Sequence, residues 1–183
     1  MRLRNTRQGY GLISITLHWI AAIAIAALFG LGLWMVDLSY AHPWYTAAPE
    51  LHIGFGVCLG ALVAIRLLWR LMSPRPDFEP GMHGWERAAA LSAHWLMYAT
   101  IVLVVASGYL ITTADGASVD VFGWFELPPV QLSIERQQDV AGRVHYYAAW
   151  ILVLMAGGHT LAALKHHFIN RDRTLIKMLR PGD

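Results

Sequence analysis

The segment of residues 143–168, RVHYYAAWILVLMAGGHTLAALKHHF, decides the fold of this chain. It contains no Asp, Glu, Lys or Arg between Arg143 and Lys165. A run of about 20 apolar residues is long enough for a helix to cross the hydrocarbon core of a membrane. A histidine lies near each end of the run, at His145 and His159. Because a titratable side chain is costly inside a membrane, this pair indicates a function.

The rest of the chain has the same apolar character. Of its 183 residues, 56% are hydrophobic and 14% are charged, against about 25% charged residues in soluble domains. Three further windows without charged residues lie between Arg7 and Asp37, Glu50 and Arg66, and Arg87 and Asp115. We predict an all-α integral membrane protein, a four-helix bundle in a single transmembrane domain over residues 1–183, with spans at about 12–36, 50–71, 88–112 and 143–165.

Other membrane-associated classes are excluded by the length and pattern of these runs. The first run is too long for a cleavable signal peptide, and no small-residue cleavage site follows it. Transmembrane strands would alternate polar and apolar residues in short segments, which these runs do not. The basic tail of residues 168–183 suggests a short helix lying on the anionic cytoplasmic leaflet.

Basic residues predict the orientation in the membrane. Four spans place both termini on one side, and all Lys and Arg except Arg136 and Arg143 lie on that side or at the span ends that face it, which is 12 of 14. By the positive-inside rule both termini are cytoplasmic, in the inner membrane of a bacterium. The loops 37–49 and 113–142 are then periplasmic. The single cysteine, Cys58, leaves no pair for an intramolecular disulfide.

The histidines inside the spans fall at two depths. His18 and His159 lie near the cytoplasmic ends of spans one and four, and His52 and His145 near the periplasmic ends of spans two and four. His145 and His159 are 14 residues apart, which is roughly 40° short of four full turns, so both lie on one helix face about 21 Å apart. His94 in span three shares the cytoplasmic depth, and the pattern alone leaves it open as a ligand.

Neutral imidazole is the commonest side-chain metal ligand. Two imidazoles that face each other in a helix bundle can form the axial pair of a haem iron. The pattern therefore suggests two haem sites, one near each membrane surface. Glycines beside the histidines, Gly54, Gly56 and Gly60 after His52 and Gly157 and Gly158 before His159, would let a flat macrocycle or a neighbouring helix approach. The remaining histidines are predicted to be solvated: His42, His83, His166 and His167.

The chain resembles the bacterial cytochrome b561 family of short di-haem, quinone-linked cytochromes over nearly its whole length. The resemblance rests on four stretches: ISITLHWI (13–20), LHIGFGVCLGALVAIRLLWRLMSPRP (51–76), AAALSAHWLMYATIVLVVASGYL (88–110) and RVHYYAAWILVLMAGGHTLAALKHHF (143–168). The HW pair, the RLLxRLxxPxP ending and the two histidines 14 residues apart are specific in combination.

The resemblance implies two haem b groups with four axial ligands. The cytoplasmic haem would lie between His18 and His159, and the periplasmic haem between His52 and His145. The histidine of span three is not an iron ligand in this family, so His94 would bond a haem propionate or a quinone oxygen instead. The same positions imply that Arg66 and Arg70 neutralise propionates, although simple topology signals would explain them equally well.

The resemblance also implies an activity, the oxidation of superoxide at the periplasmic side with ubiquinone as electron acceptor. Arg136 and Arg143 lie within ten residues of His145 and would attract a small anion. The Glu135–Arg136 pair resembles a motif of the family, but its spacing to His145 is one residue longer, and Arg143 stands near a position where the family has lysine. Both arginines could instead pair with propionates, or with Glu135 and Asp139.

Two other functions remain open from the sequence. The protein could be a membrane-anchor cytochrome b subunit that passes electrons between a periplasmic redox partner and the quinone pool. It could also be a transporter that uses its histidines as a proton relay. The expected partners are membrane lipid, quinone, and superoxide or a redox protein, with no nucleic acid. The sequence leaves monomer and homodimer open.

Overall fold

The computed structural model describes residues 2–132 and 134–181. Four helices in these residues are long and apolar enough to cross a membrane, which confirms the predicted all-α membrane architecture. Their bounds are α1 Leu12–Met35, α2 Ala47–Met72, α3 Gly84–Thr112 and α4 Gln137–Lys165. Large apolar side chains such as Ile23, Leu154 and Leu161 are exposed on them, as expected where lipid covers the protein.

Three helices begin earlier than the apolar runs predict. The difference is largest for α4, which starts at Gln137, six residues before the predicted span. Gln137 is buried, donates from Nε2 to the carbonyls of Leu110 and Val130, and accepts the N–H of Leu132 at Oε1. The charged residues that bound an apolar run mark where a helix leaves the membrane, not where the helix ends. The prediction therefore did not include the polar first turns of these helices.

A β-hairpin in the loop between α3 and α4 is an addition that the sequence did not predict. Strand β1 (Val119–Val121) pairs antiparallel with β2 (Phe125–Leu127), with Val119 opposite Leu127 and Val121 opposite Phe125. The turn places Phe122 and Gly123 at positive φ, and both Asp120 carboxylate oxygens accept the Gly123 N–H. Three residues per strand are too few to give a clear alternating pattern.

The chain forms two compact units. The first unit contains the residues up to Ala22, Leu62–Tyr98, and the chain from Val153 onward. In it the N-terminal segment folds back over the start of α1. Asn5 is buried, and its Oδ1 accepts hydrogen bonds from Gly11 N and Ser14 Oγ at 2.9 and 2.7 Å. Trp69 Nε1 donates to the same Ser14 hydroxyl, which fixes α2 to this corner.

The C-terminal tail packs against the same unit and is not an α-helix. After α4 it forms a π-helical turn, His166–Asn170, and a short 3-10 turn, Ile176–Met178. Lys177 Nζ pairs with Glu79 at 2.6 Å and donates to the carbonyl of Asp77. The indole of Trp19 donates to the carbonyl of Met178. The predicted surface helix is therefore wrong, because these long-range bonds hold the tail in an irregular path.

The second unit contains Ile23–Ala61 and Ala99–Leu152. Phe122 of the hairpin turn packs on Phe55 with ring centroids 5.0 Å apart. Its ring also fills the place beside Gly54 where a β-carbon would otherwise lie. Gly60 packs against Val105 of α3 in the same unit. Of the glycines highlighted by the sequence, Gly54 and Gly60 therefore serve close packing.

We expect Gly11→Ala to destabilise the N-terminal corner by about 1–3 kcal/mol, as overpacked sites usually do. A β-carbon at Gly11 would lie 2.3 Å from the Leu3 carbonyl oxygen and 2.5 Å from the Arg4 carbonyl carbon, and backbone atoms cannot turn aside as side chains can. Thermal unfolding of the detergent-solubilised protein measures the effect. Gly81→Ala is the control, because nothing lies within 4 Å of its β-carbon position. Equal unfolding temperatures for the two variants would contradict this packing.

Candidate functional site

Two pairs of histidines face each other in the structure. In the second unit, His52 of α2 and His145 of α4 have ring centroids 6.0 Å apart and ring planes at 75°. In the first unit, His18 of α1 and His159 of α4 have ring centroids 6.4 Å apart, also at 75°. The structure thus brings together the two pairs that the sequence suggested from the depth of the histidines in the membrane and from their helix faces.

The surroundings orient the His145 ring for metal binding. Its Nδ1 lies 2.9 Å from the carbonyl of Val104, and only a protonated Nδ1 can donate to a carbonyl. The neutral ring then presents an unprotonated Nε2, the form that binds metal. Metal-binding histidines usually donate their other N–H to such an acceptor. Gly108 of α3 lies against this ring, because a β-carbon there would be 3.1 Å from Cε1.

His52 is held against a glycine in a similar way. A β-carbon on Gly32 of α1 would lie 3.1 Å from the His52 Cε1 atom. The His52 Nδ1 atom is buried. The Leu28 backbone of α1 also interacts with this ring, so His52, like His145, is oriented by a neighbouring helix.

His18 has a different partner, the guanidinium of Arg66. The Arg66 Nη2 atom lies 2.8 Å from His18 Nδ1. Since arginine can only donate, Nδ1 accepts and the neutral ring carries its proton on Nε2. Binding a metal through Nε2 therefore requires Arg66 to release Nδ1. The released guanidinium would then be available to an anionic group, which is the role that the resemblance implies for Arg66.

Both pairs fit a haem iron. A metal held by two imidazole nitrogens at about 2.0 Å each leaves the ring centroids about 6 Å apart, close to the observed 6.0 and 6.4 Å. The flat ring also needs room beside the helices. The positions of β-carbons on Gly56, Gly157 and Gly158 have nothing within 4 Å. These glycines leave open space, in contrast to Gly54 and Gly60.

His94 also lies next to His159. Their ring centroids are 5.2 Å apart and their planes are at 66°, so distance alone does not separate His94 from His18 as a partner. His94 also lines a cavity of about 620 Å³ in the first unit, together with His159, Met155 and Gly158. Arg70 lines the same cavity.

Most of this cavity is apolar, and one end is charged. Its walls are α3 from Trp85 to Leu96, α4 from Met155 to Lys165, and parts of the 75–79 loop and of the tail. At the charged end Lys165 Nζ pairs with Glu86 Oε1 at 2.6 Å. The Thr174 Oγ1 atom in the lining is buried, and its side chain interacts with the Asp172 carboxylate. The cavity suits an amphipathic ligand with a polar head.

The two arginines at the other membrane surface differ from each other. Arg136 is paired with Asp139 at 2.7 Å and both side chains are exposed, which is one of the alternatives considered from the sequence. Arg143 is also exposed, and it forms no ion pair with any residue that the structure describes. Its positive charge is therefore the less neutralised of the two.

Sequence reasoning missed several residues of these sites. Gly32 and Gly108 contact the histidine rings but are far from them in the chain, and no local motif marks them. His166 was expected to be solvated and is instead buried, with 7% of its surface exposed. His83 is exposed as predicted, whereas His42 and His167 are half-buried.

Comparison with known proteins agrees with this arrangement. The family model described as prokaryotic cytochrome b561 matches residues 9–181. "Cytochrome b561 homolog 2" of Escherichia coli K12 is 45% identical over 179 residues, which cover 98% of this chain and 95% of that protein. "Probable superoxide oxidase CybB" of Yersinia pestis is 26% identical over 176 residues, covering 93% and 95%. The chain therefore belongs to the prokaryotic cytochrome b561 family, and it is a membrane electron-transfer protein that binds b-type haem.

Proposed function

We propose that this protein is a di-haem superoxide:ubiquinone oxidoreductase. The observation that supports it best is the presence of two histidine pairs with the same ring-plane angle and nearly the same spacing. His52 and His145 would hold one haem, and His18 and His159 the other. Iron with two axial imidazoles exchanges single electrons and keeps no open position for oxygen. In the net reaction two superoxide ions become two O₂ while one ubiquinone takes up two electrons and two protons.

The cavity beside His159 is the proposed ubiquinone site. Its apolar walls suit an isoprenoid-bearing ring, and His94 and Arg70 supply polar contacts. Of the two roles implied for His94, this favours the contact with a quinone oxygen. Arg66 would then move from His18 Nδ1 to a haem propionate.

The superoxide site is proposed at the exposed side of the His52–His145 pair. Arg143 is two residues from His145 and carries a charge without an ion-pair partner among the described residues. A positive charge beside the reacting group raises the encounter rate of a small anion. The relative named as a superoxide oxidase supports this choice of substrate. The 12 basic residues on the other side support a periplasmic position for this end.

We expect alanine at any one of the four proposed ligands to remove one haem and leave the other. Haem content per chain, measured as the pyridine haemochrome, should fall from two to one for His52→Ala, His145→Ala, His18→Ala and His159→Ala. His94→Ala and the loop control His42→Ala should keep both haems. If His94→Ala loses a haem while His18→Ala keeps both, His94 and not His18 is the partner of His159 in the first unit.

We expect superoxide to reduce the haems rapidly, at a rate that decreases as salt screens the attraction. Arg143→Gln should lower the rate at low salt by about 3- to 10-fold and flatten its salt dependence. Arg136→Gln is the matched control and should have little effect, because Asp139 already neutralises that charge. Stopped-flow absorbance measures the rate of haem reduction and its salt dependence in each variant, with added dismutase as a blank. A parent protein that superoxide does not reduce would favour the anchor-subunit function instead.

We expect the 113–142 loop to be periplasmic and the tail to be cytoplasmic. In a Cys58→Ser background, a membrane-impermeant thiol reagent should label Ala117→Cys in intact spheroplasts. Arg173→Cys should react only after the membrane is opened, and both positions are exposed in the structure. Labelling of Arg173→Cys alone in intact spheroplasts would invert the orientation, and with it the assignment of substrates to the two ends.

A further inference from the structure

His166 is the most constrained residue of the C-terminal tail. It begins the π-helical turn His166–Asn170 that ends α4, and such turns occur frequently at functional sites. The next residue after the turn, Arg171, has φ 57°, and the backbone N–H groups of Arg171 and Asp172 both donate to the His166 carbonyl. A non-glycine residue at positive φ is retained only where the surroundings require it.

The side chain of His166 is held as firmly as its backbone. Its Nδ1 atom lies 2.5 Å from Asp172 Oδ2, so a carboxylate accepts the Nδ1 proton and Nε2 is left to exchange protons. Burial by itself would raise the pKa of Asp172, but the Thr174 N–H and His166 outweigh it and lower this pKa below its usual value. Asp172 is therefore ionised at neutral pH. A carboxylate that fixes one imidazole nitrogen is a common arrangement for proton transfer at the other.

His166 is also part of the wall of the 620 Å³ cavity. The charged groups that face it are Asp172 of its own tail and Glu86 of α3, with Lys165 of α4 paired to Glu86. A histidine that only tied down the tail would need no place in the lining of a cavity. Its buried position in the cavity lining, next to Lys165 at the end of α4, suits a group that passes protons inward.

We propose that His166 is the acid that protonates a ubiquinone oxygen as quinone is reduced in this cavity, and that Asp172 positions its ring. This inference rests on the proposed function. The imidazolium transfers its Nε2 proton to the reduced oxygen, and the neutral imidazole then takes a proton from water at the charged end of the cavity. Two such transfers and two electrons, one from each of two superoxide ions, convert quinone to quinol and leave two O₂.

The test follows anaerobic oxidation of the pre-reduced protein by short-chain ubiquinone-1 in a stopped-flow spectrometer, between about pH 6 and pH 9. In the parent protein the rate should decrease as pH rises, because the supply of protons to the quinone oxygen falls. His166→Gln should be slower by about 10-fold or more at the acid end, and its rate should be nearly independent of pH. The solvent deuterium isotope effect should increase in this variant. The rate of Asp172→Asn should lie between the rates of the parent protein and His166→Gln.

His167→Gln is the matched control, since it makes the same change one position away on a ring that packs against Phe168. It should behave as the parent. If ubiquinone oxidises the parent protein, an unchanged rate and pH profile in both His166→Gln and Asp172→Asn would overturn this inference. The proposed quinone site would still stand. A parent that ubiquinone does not oxidise at any pH would overturn the proposed quinone site as well. If His166→Gln loses haem, Asp172→Asn tests the inference in its place. An Asp172→Asn rate and pH profile equal to those of the parent would then overturn the inference.

Discussion

An imidazole inside a membrane must have a partner, and this constraint organises the structure. Neither ring of a facing pair can be satisfied by water at membrane depth, and an unpaired polar group there is expensive. The Val104 carbonyl serves His145, the Arg66 guanidinium serves His18, and the Leu28 backbone interacts with His52. The remaining ring nitrogens are the ligands proposed for the haem that the family binds.

The helices are arranged so that these rings can approach. Gly32 and Gly108 lie where any side chain would crowd His52 and His145, and Gly157 and Gly158 leave space on α4. Aliphatic side chains at these positions would fill the volume that a flat macrocycle needs. The packing of small residues around the histidines thus serves the cofactor, while the contacts of Gly54 and Gly60 serve the hairpin and α3.

Charged and polar residues are concentrated where the chain leaves the membrane, and their contacts hold the first unit together. Hydrogen bonds from Trp19, Lys177 and Lys165 link segments that are distant in the chain, and the buried bond from the Gly11 N–H to Asn5 Oδ1 closes the N-terminal segment on itself. Glu86 accepts from both Lys165 and the His83 N–H at the start of α3, so one carboxylate caps a helix and bounds the cavity. This arrangement places titratable groups next to an apolar cavity, which is the combination that the proposed quinone site needs.

The sequence by itself determined the four helices, the two depths of the histidines and the shared helix face of His145 and His159, because apolar length and helical periodicity are local properties of a chain. At the cytoplasmic depth it left both His18 and His94 open as partners of His159. The resemblance singled out Arg66 and Arg70, whose positions beside His18 and in the cavity lining are consistent with the roles it implies. Only the tertiary structure decided that His166 is buried, that Arg136 is neutralised by Asp139 while Arg143 lacks such a partner among the described residues, and that the tail folds back instead of forming a helix. The Arg136–Asp139 pair is a local contact, three residues apart, that the sequence left open among alternatives. The path of the tail instead depends on contacts such as Lys165 with Glu86 and Trp19 with Met178, 79 and 159 residues apart in the chain. No window of sequence contains both members of such a contact, so a polar residue that reads as solvated can become part of a site when the chain folds.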